Sequence, residues 1–340
     1  MYTKEQQEKY REMVTLMEEA AVKRERARGA NSVTGATGAT GGAGGGSIFS
    51  GLGGSGSSGD SGGSGGNGGS GAYTVNGATL SDTTTGVGHG LLFINYNNDG
   101  TKFFTTILEK KISQISLSTP YDVSTATWDF TTKSADLDNI SVSFISGGRF
   151  TPDGNSVIAC HQTSSPDNQQ ITQYNLTSTF DLSTIGNDVA ILNVIGDIPG
   201  SIAEVNAVVW NDDGTKLFVA EGANNLILEY ALSSAYDIST ASYTTSFNYT
   251  TATGAVNGGE FIFNSAGTKL LLTDTATNAL YEIDLSTGFD LSTASYNSNS
   301  IDFTSIDTIP LGLEYNSDGS KLYVSGSQND SIYTFDLVPV

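Results

Sequence analysis

Three glutamates, Glu204, Glu260 and Glu314, are the side chains of this 340-residue chain best placed for general acid/base chemistry. Two carboxylates at a suitable separation can hydrolyse a glycosidic bond, one protonating the leaving oxygen while the other attacks or activates water. His89 and Arg149 fall near the same segments, and Arg149 is the only arginine beyond residue 28. Among so many acids, a lone arginine reads as the partner of one of them or as a ligand contact. Cys160 is the only cysteine, which excludes an intrachain disulfide. With His161 beside it, it falls short of a structural zinc site and reads as a buried strand cysteine. The chain has no phosphate-binding loop with its lysine and no nucleophile elbow.

Those residues belong to an internal repeat that begins after residue 72. Its anchor is a turn glycine at Gly100, Gly154, Gly214, Gly267 and Gly319, preceded by aspartate in every unit but the fourth, where Ala266 stands. Four residues earlier comes an aromatic: Tyr96, Phe150, Trp210, Phe263 or Tyr315. Two residues later comes Lys102, Lys216, Lys269 or Lys321, with Ser156 as the exception, and an apolar run follows. A second signature closes the first four units, with Tyr121-Asp122-Val123-Ser124-Thr125 as its first copy and Phe180, Tyr236 and Phe289 opening the others. Aspartate followed two residues on by serine forms Asx-type turns, so the motif predicts a fixed loop between a third and a fourth strand.

Four short strands per unit are the mark of a β-propeller blade. The fifth unit ends without its outer strand, and residues 72–76 resemble 294–298, which open an outer strand elsewhere. The N-terminal strand is therefore expected to complete the last blade and bury both sheet edges. Within the units, Glu204, Glu260 and Glu314 stand at different offsets and carry no supporting motif. The reading is accordingly no enzyme, no catalytic residue, no metal and no cofactor. Binding is assigned instead to polar loops at 161–170, 221–225, 273–278 and 326–330, with His161, Asp167, Asn225, Asn278 and Asp330 as candidate contacts; saccharide hydroxyls suit such groups.

Before the repeat, glycine recurs at every third residue in one phase, from Gly35 to Gly44 and again from Gly53 to Gly71. Three-residue periodicity is the pitch of polyproline-II-type helices, and a strict glycine lets them pack around a common axis. Residues 30–72 are thus expected to form a trimeric stalk, collagen-like or polyglycine-like, spanning roughly 110–120 Å. Residues 4–28 lack Gly and Pro and read as a helix, with Tyr10, Met13, Val14, Met17 and Ala21 as an apolar seam for anchoring or trimerisation. So short a helix needs a partner in water.

Charge divides by segment. Residues 1–29, 30–72 and 73–340 carry net charges of +1, −1 and −21. An acidic C-terminal domain with few Lys/Arg is a poor match for nucleic acid or an anionic membrane. No apolar run approaches the ~20 residues of a membrane span, and the first residues lack the apolar region of a secretory signal. The expected fold is mostly β: a five-bladed β-propeller over 73–340, preceded by a short N-terminal α-helix (1–29) and the glycine-triplet stalk.

The turn Arg149-Phe150-Thr151-Pro152-Asp153-Gly154 with Val157-Ile158-Ala159, and Asp318-Gly319-Ser320-Lys321-Leu322-Tyr323-Val324, resembles the turn of lactonase-like propellers, over about eight residues per blade. The whole layout resembles fibre or spike proteins of tailed bacteriophages. That resemblance implies a virion protein assembled in the host cytoplasm, docked on tail or capsid proteins through residues 1–29. Its β-domain would face a host glycan or protein. A capsid-decorating fibre and a propeller glycan hydrolase are the rival readings.

Overall fold

The structure is a computed structural model that describes residues 73–85, 91–106, 111–127, 134–136, 144–162, 170–194, 205–222, 224–255 and 258–340. The expected helix and stalk, with Tyr10, Met13, Val14, Met17 and Ala21, lie outside the described residues.

The first strand, β1 (Tyr73–Thr85), is distant in sequence from the sheet it joins. Unit one forms β2 (Asn95–Tyr96), β3 (Lys102–Thr106), β4 (Lys111–Leu117) and an outer strand in two pieces, β5 (Ala126–Thr127) and β6 (Ser134–Asp136). Unit two forms β7 (Phe144–Phe150), β8 (Ser156–Gln162), β9 (Gln170–Leu176) and β10 (Ile185–Asn193). Unit three forms β11 (Val205–Trp210), β12 (Lys216–Glu221), β13 (Leu226–Leu232) and β14 (Ala241–Asn248). In unit four come β15 (Gly258–Phe263), β16 (Lys269–Asp274), β17 (Ala279–Leu285) and β18 (Ala294–Asp302), and in unit five β19 (Pro310–Tyr315), β20 (Lys321–Gly326) and β21 (Ser331–Pro339). β1 pairs antiparallel with β21, from Tyr73 opposite Pro339 to Thr85 opposite Ser331, and supplies the fourth strand of the last blade. The inner strands β2, β7, β11, β15 and β19 touch in a ring in chain order, so the domain is a five-bladed β-propeller.

Each blade is covered on both faces by its neighbours, which explains the apolar second strands. Leu217, Phe218 and Val219 are all buried, as are Leu270, Leu271 and Leu272, because neither face of the sheet meets water. The outer strands are exposed and polar, as in Ala294–Asp302. In place of one core the described residues form five, one per seam between blades. Phe93, Phe104 and Phe150 fill the seam of blades one and two, and Val75 of β1 enters that of blades four and five.

The two sequence signatures interlock within a blade. The turn glycines have φ between +67° and +76°, the left-handed region that favours glycine. A Cβ on Gly100, Gly154, Gly214 or Gly267 would lie within 2.5 Å of the ring of Tyr121, Phe180, Tyr236 or Phe289. Each of those aromatics opens the second signature of the same blade and donates its backbone N–H to the glycine carbonyl at 2.9–3.0 Å. The aspartate that follows accepts from the backbone N–H of the serine, 3.0 Å away in Asp122–Ser124, and caps a single 3-10 turn.

A second set of contacts ties each blade to the next. Gln114, Gln173, Glu229 and Glu282 hold equivalent places in the third strands and accept the backbone N–H of Leu182, Ile238, Leu291 and Val75, respectively. Lys102 Nζ and Lys216 Nζ donate to the carbonyls of Phe180 and Phe289 at 2.8 and 2.6 Å. Where Ser156 replaces the lysine, Gln173 Nε2 takes over, reaching Tyr236 O at 2.9 Å. At the ring's final seam, Tyr323 Oη donates to Tyr121 O at 2.9 Å.

Val75 occupies the site that Val123, Leu182, Ile238 and Leu291 fill in the other blades: it is 2 % exposed and hydrogen-bonded to the preceding blade. Asn76 N donates to Thr74 Oγ1, echoing the serine-to-aspartate bond of the other blades. Residues 73–78 therefore match 289–294, which corrects the expected match of 72–76 with 294–298 by six positions along the chain. The outer strand proper begins near Ala78.

Candidate functional site

Two parts of the propeller could act on a ligand: the axis, where the inner strands converge, and the loop face opposite the glycine turns. At the axis, positions five residues before each turn glycine are Asn95, Arg149, Val209, Ile262 and Glu314; seven before, Phe93, Gly147, Ala207, Glu260 and Gly312. Arg149 Nη1 bonds Glu314 Oε2 at 3.0 Å, joining blade two to blade five, with side-chain exposures of 2 % and 1 %. Asn95 of the blade between them donates from Nδ2 to the same oxygen at 2.9 Å and accepts the Phe150 N–H at 3.0 Å. A Cβ on Gly312 would lie 2.8 Å from the Phe93 backbone, so the glycine permits the strands to close on each other.

Glu260 is equally buried, and among the described residues its Oε2 has no hydrogen-bond partner. Burial pushes its carboxyl up to about 8; Arg149 draws it back and Glu314 adds to the rise. Burial also raises Glu314, opposed by Arg149 and by the hydrogen bond from Asn95. At the axis, burial thus favours the neutral form of one acid, and the other is taken up by a guanidinium and an amide. Neither meets solvent, as a glycosidase acid and its companion carboxylate must. Arg149 is the partner of an acid, the simpler of the two sequence readings. Glu204 and His89 lie outside the described residues.

On the loop face, the ends of the second strands carry His161, Glu221, Asp274 and Gly326, each seven residues after its turn glycine, and β8 alone runs one residue further. The carboxylates there face inward to organise the following turn. Glu221 Oε2 accepts Asn224 N at 2.8 Å, and Asp274 Oδ1 accepts Ala276 N and Thr277 N at 2.9 and 2.7 Å. In blade five the carboxylate comes from Asp307: its Oδ2 accepts Asn329 N at 3.0 Å, in space that a Cβ on Gly326 would take.

The candidate binding residues separate accordingly. His161 is expected in a loop, but β8 continues through it, paired with Ile145 on one side and Gln170 on the other, and it is fully buried. Burial lowers its imidazole to about 4, so it is neutral near pH 7, with Nε2 3.4 Å from Tyr174 Oη. Asn225, Asn278 and Asp330 are the left-handed residues of three equivalent turns, with φ of 60°, 53° and 48°. Their side-chain types suit that conformation. Asp330 is buried, whereas Ala276, Thr277, Gln328 and Asn329 are the exposed residues of these turns. Asp167 lies outside the described residues. Sequence reasoning missed Glu221, Asp274 and Asp307 as turn organisers; the shared place of Glu221 and Asp274 after the apolar run was available as a signal, whereas Asp307, which precedes β19, carried none.

The serine turn of the second signature leaves its aspartate occupied: Asp122 Oδ1 accepts from both Ser124 N and Ser124 Oγ, at 3.0 and 2.5 Å. Cys160 is buried in β8, as expected, and burial raises its thiol well above the ordinary range. No helix among the described residues is long and apolar enough to cross a membrane.

No family model and no curated protein matches the chain. Solved structures of similar shape include a glutaminyl cyclase of Myxococcus xanthus, at 13% identity over 77% of this chain and 97% of that one, with a TM-score of 0.48. Another is the Cps50 (Swd1) β-propeller domain of Myceliophteria thermophila, at 11% identity over 77% of this chain and 100% of that one, TM-score 0.46. A third is a functionally unknown protein of Desulfotomaculum acetoxidans, at 12% identity over 74% and 69%, TM-score 0.44. Likenesses this distant concern shape alone, and the chain's chemistry has to be read from its own residues.

Proposed function

We propose that the chain is a phage virion appendage, a fibre in which residues 1–29 dock on tail or capsid proteins, 30–72 form a trimeric stalk and 73–340 display a propeller for host adhesion. The observation that carries this reading is where the chain enters the propeller. Tyr73 pairs with Pro339 at the level of the glycine turns and the 3-10 turns, on the rim of blade five. The turns at 224–225, 275–278 and 327–330 stand at the other ends of the strands, so a stalk joined at Tyr73 presents them away from the particle. The exposed Thr277, Gln328 and Asn329 in two of them offer a hydroxyl and two amides that suit a glycan or a polar protein surface. The burial of both axis carboxylates and the engagement of Glu314 by Arg149 disfavour the glycan-hydrolase alternative.

Three propellers on one stalk bind a repetitive surface by avidity, on the order of 10²–10⁴ beyond one copy if the target is multivalent. Full-length protein incubated with a panel of bacterial cells is expected to be retained by the host strain, and the protease-released propeller to be retained far more weakly. Failure of both forms to bind any strain would favour the capsid-decorating fibre. Release of oligosaccharide from envelope polysaccharide, abolished in Glu260→Gln, would turn the assignment to an enzyme.

A further inference from the structure

Three inner strands bring two carboxylates and one cation to the propeller axis: Glu260 from β15, Glu314 from β19 and Arg149 from β7. All three side chains are at most 2 % exposed. We propose that the axis is a single-proton site: Glu260 and Glu314 together hold one proton against the Arg149 guanidinium, and the ring of blades loosens when that proton leaves. With the proton bound the cluster is neutral. Without it a net negative charge is sealed among five blades, where water cannot screen it.

The geometry puts the proton on Glu260. Glu314 Oε2 already receives Arg149 and Asn95, and its Oε1 accepts the Tyr315 N–H at 3.1 Å. Glu260 Oε2 receives nothing among the described residues. Among the described residues, the groups around it offer no second cation. From β8 comes the Cys160 thiol, which burial keeps protonated. Asp274 on β16 and Glu221 on β12 are committed to their turns. Thr273 Oγ1 accepts the Glu260 N–H and donates to the carbonyls of Glu260 and Leu311, while Asn95 and the phenols Tyr96 and Tyr315, both raised by burial, stand beside Glu314. Burial leaves Glu260 titrating at about 8, against an unfolded glutamate near ~4.3. The stabilising difference is present in full at acid pH and is lost as pH rises towards and through 8. The pair shares its protons, so titration reports the cluster and not one residue alone.

The test is thermal unfolding of the full chain between pH 6.5 and 9, in wild type and in Glu260→Gln, whose amide mimics the neutral acid. Wild type should lose on the order of 5 °C more in Tm over this range than the variant. Subtracting the two removes the shared contribution of Cys160, which ionises only on unfolding in this range. Parallel curves would overturn the proposal. Should the variant not fold, infrared spectra of wild type decide the matter: a neutral-carboxylic-acid carbonyl band is expected at pH 6.5 and lost by pH 9.5, and its absence at pH 6.5 would refute the site.

Discussion

A chain lacking residues 73–85 is expected to lose its fold, beyond any modest destabilisation. β1 is the whole outer strand of blade five, paired with β21 along its length, and Val75 fills the core between blades four and five. Without it β21 becomes a bare sheet edge, the template for aggregation, and the last blade loses its N-terminal strand. The loss is of the order of a domain's entire stability, about 5–15 kcal/mol. Size-exclusion chromatography and circular dichroism should find aggregate or a broad, non-cooperative melt. A monodisperse variant melting at the wild-type midpoint would show that the closure does not hold the ring.

Glu282→Ala should be the most damaging single substitution. Its carboxylate is 1 % exposed and is the hub of the closure: Thr74 Oγ1 and Val75 N donate to it from β1, Asn297 and Asn299 from β18, and Lys269 from β16. Burial alone would push the carboxyl up, but the donors led by Asn299, Val75 N and Lys269 outweigh it and hold the group below the ordinary glutamate range. Removing one partner of a buried ion pair costs about 3–5 kcal/mol. For a domain of this size that is roughly a 10 °C fall in Tm. A lowered carboxyl contributes stability above the unfolded pKa and loses it as pH falls through the folded value. The gap between wild type and variant should therefore narrow below about pH 4. An unchanged gap at low pH would mean that packing, not the ionised hub, is at stake.

The local parts of this fold were legible and the long-range ones were not. A turn glycine at positive φ and an aspartate capping the serine two residues on are both set by neighbours in sequence, so five glycine turns and four second signatures could be read directly. The aromatic that packs on the glycine is equally periodic, yet nothing local says that the two signatures touch. Ser156 reads as a lapse in the repeat until Gln173 takes over the missing lysine's contact. Arg149 and Glu314 are 165 residues apart, and only closure of the ring makes them partners. His161 was misplaced because polarity suggested a loop; its backbone pairs on both sides, and burial keeps its ring neutral. Closure by the N-terminal strand was expected from the missing fourth strand, but its alignment slipped by six because the residues preceding Ala78 imitate the 3-10 turn as well as the strand.

The claim that unites stalk and propeller is that three chains share one stalk, with each propeller folded independently around its own β1. Sedimentation equilibrium of the full chain tests it most directly, alongside the fragment left when protease removes residues 1–72. The account predicts a full-length species of three 35.5-kDa chains and a monomeric, still-folded propeller. A monomeric full-length protein, or a propeller that stays trimeric without residues 1–72, would contradict it.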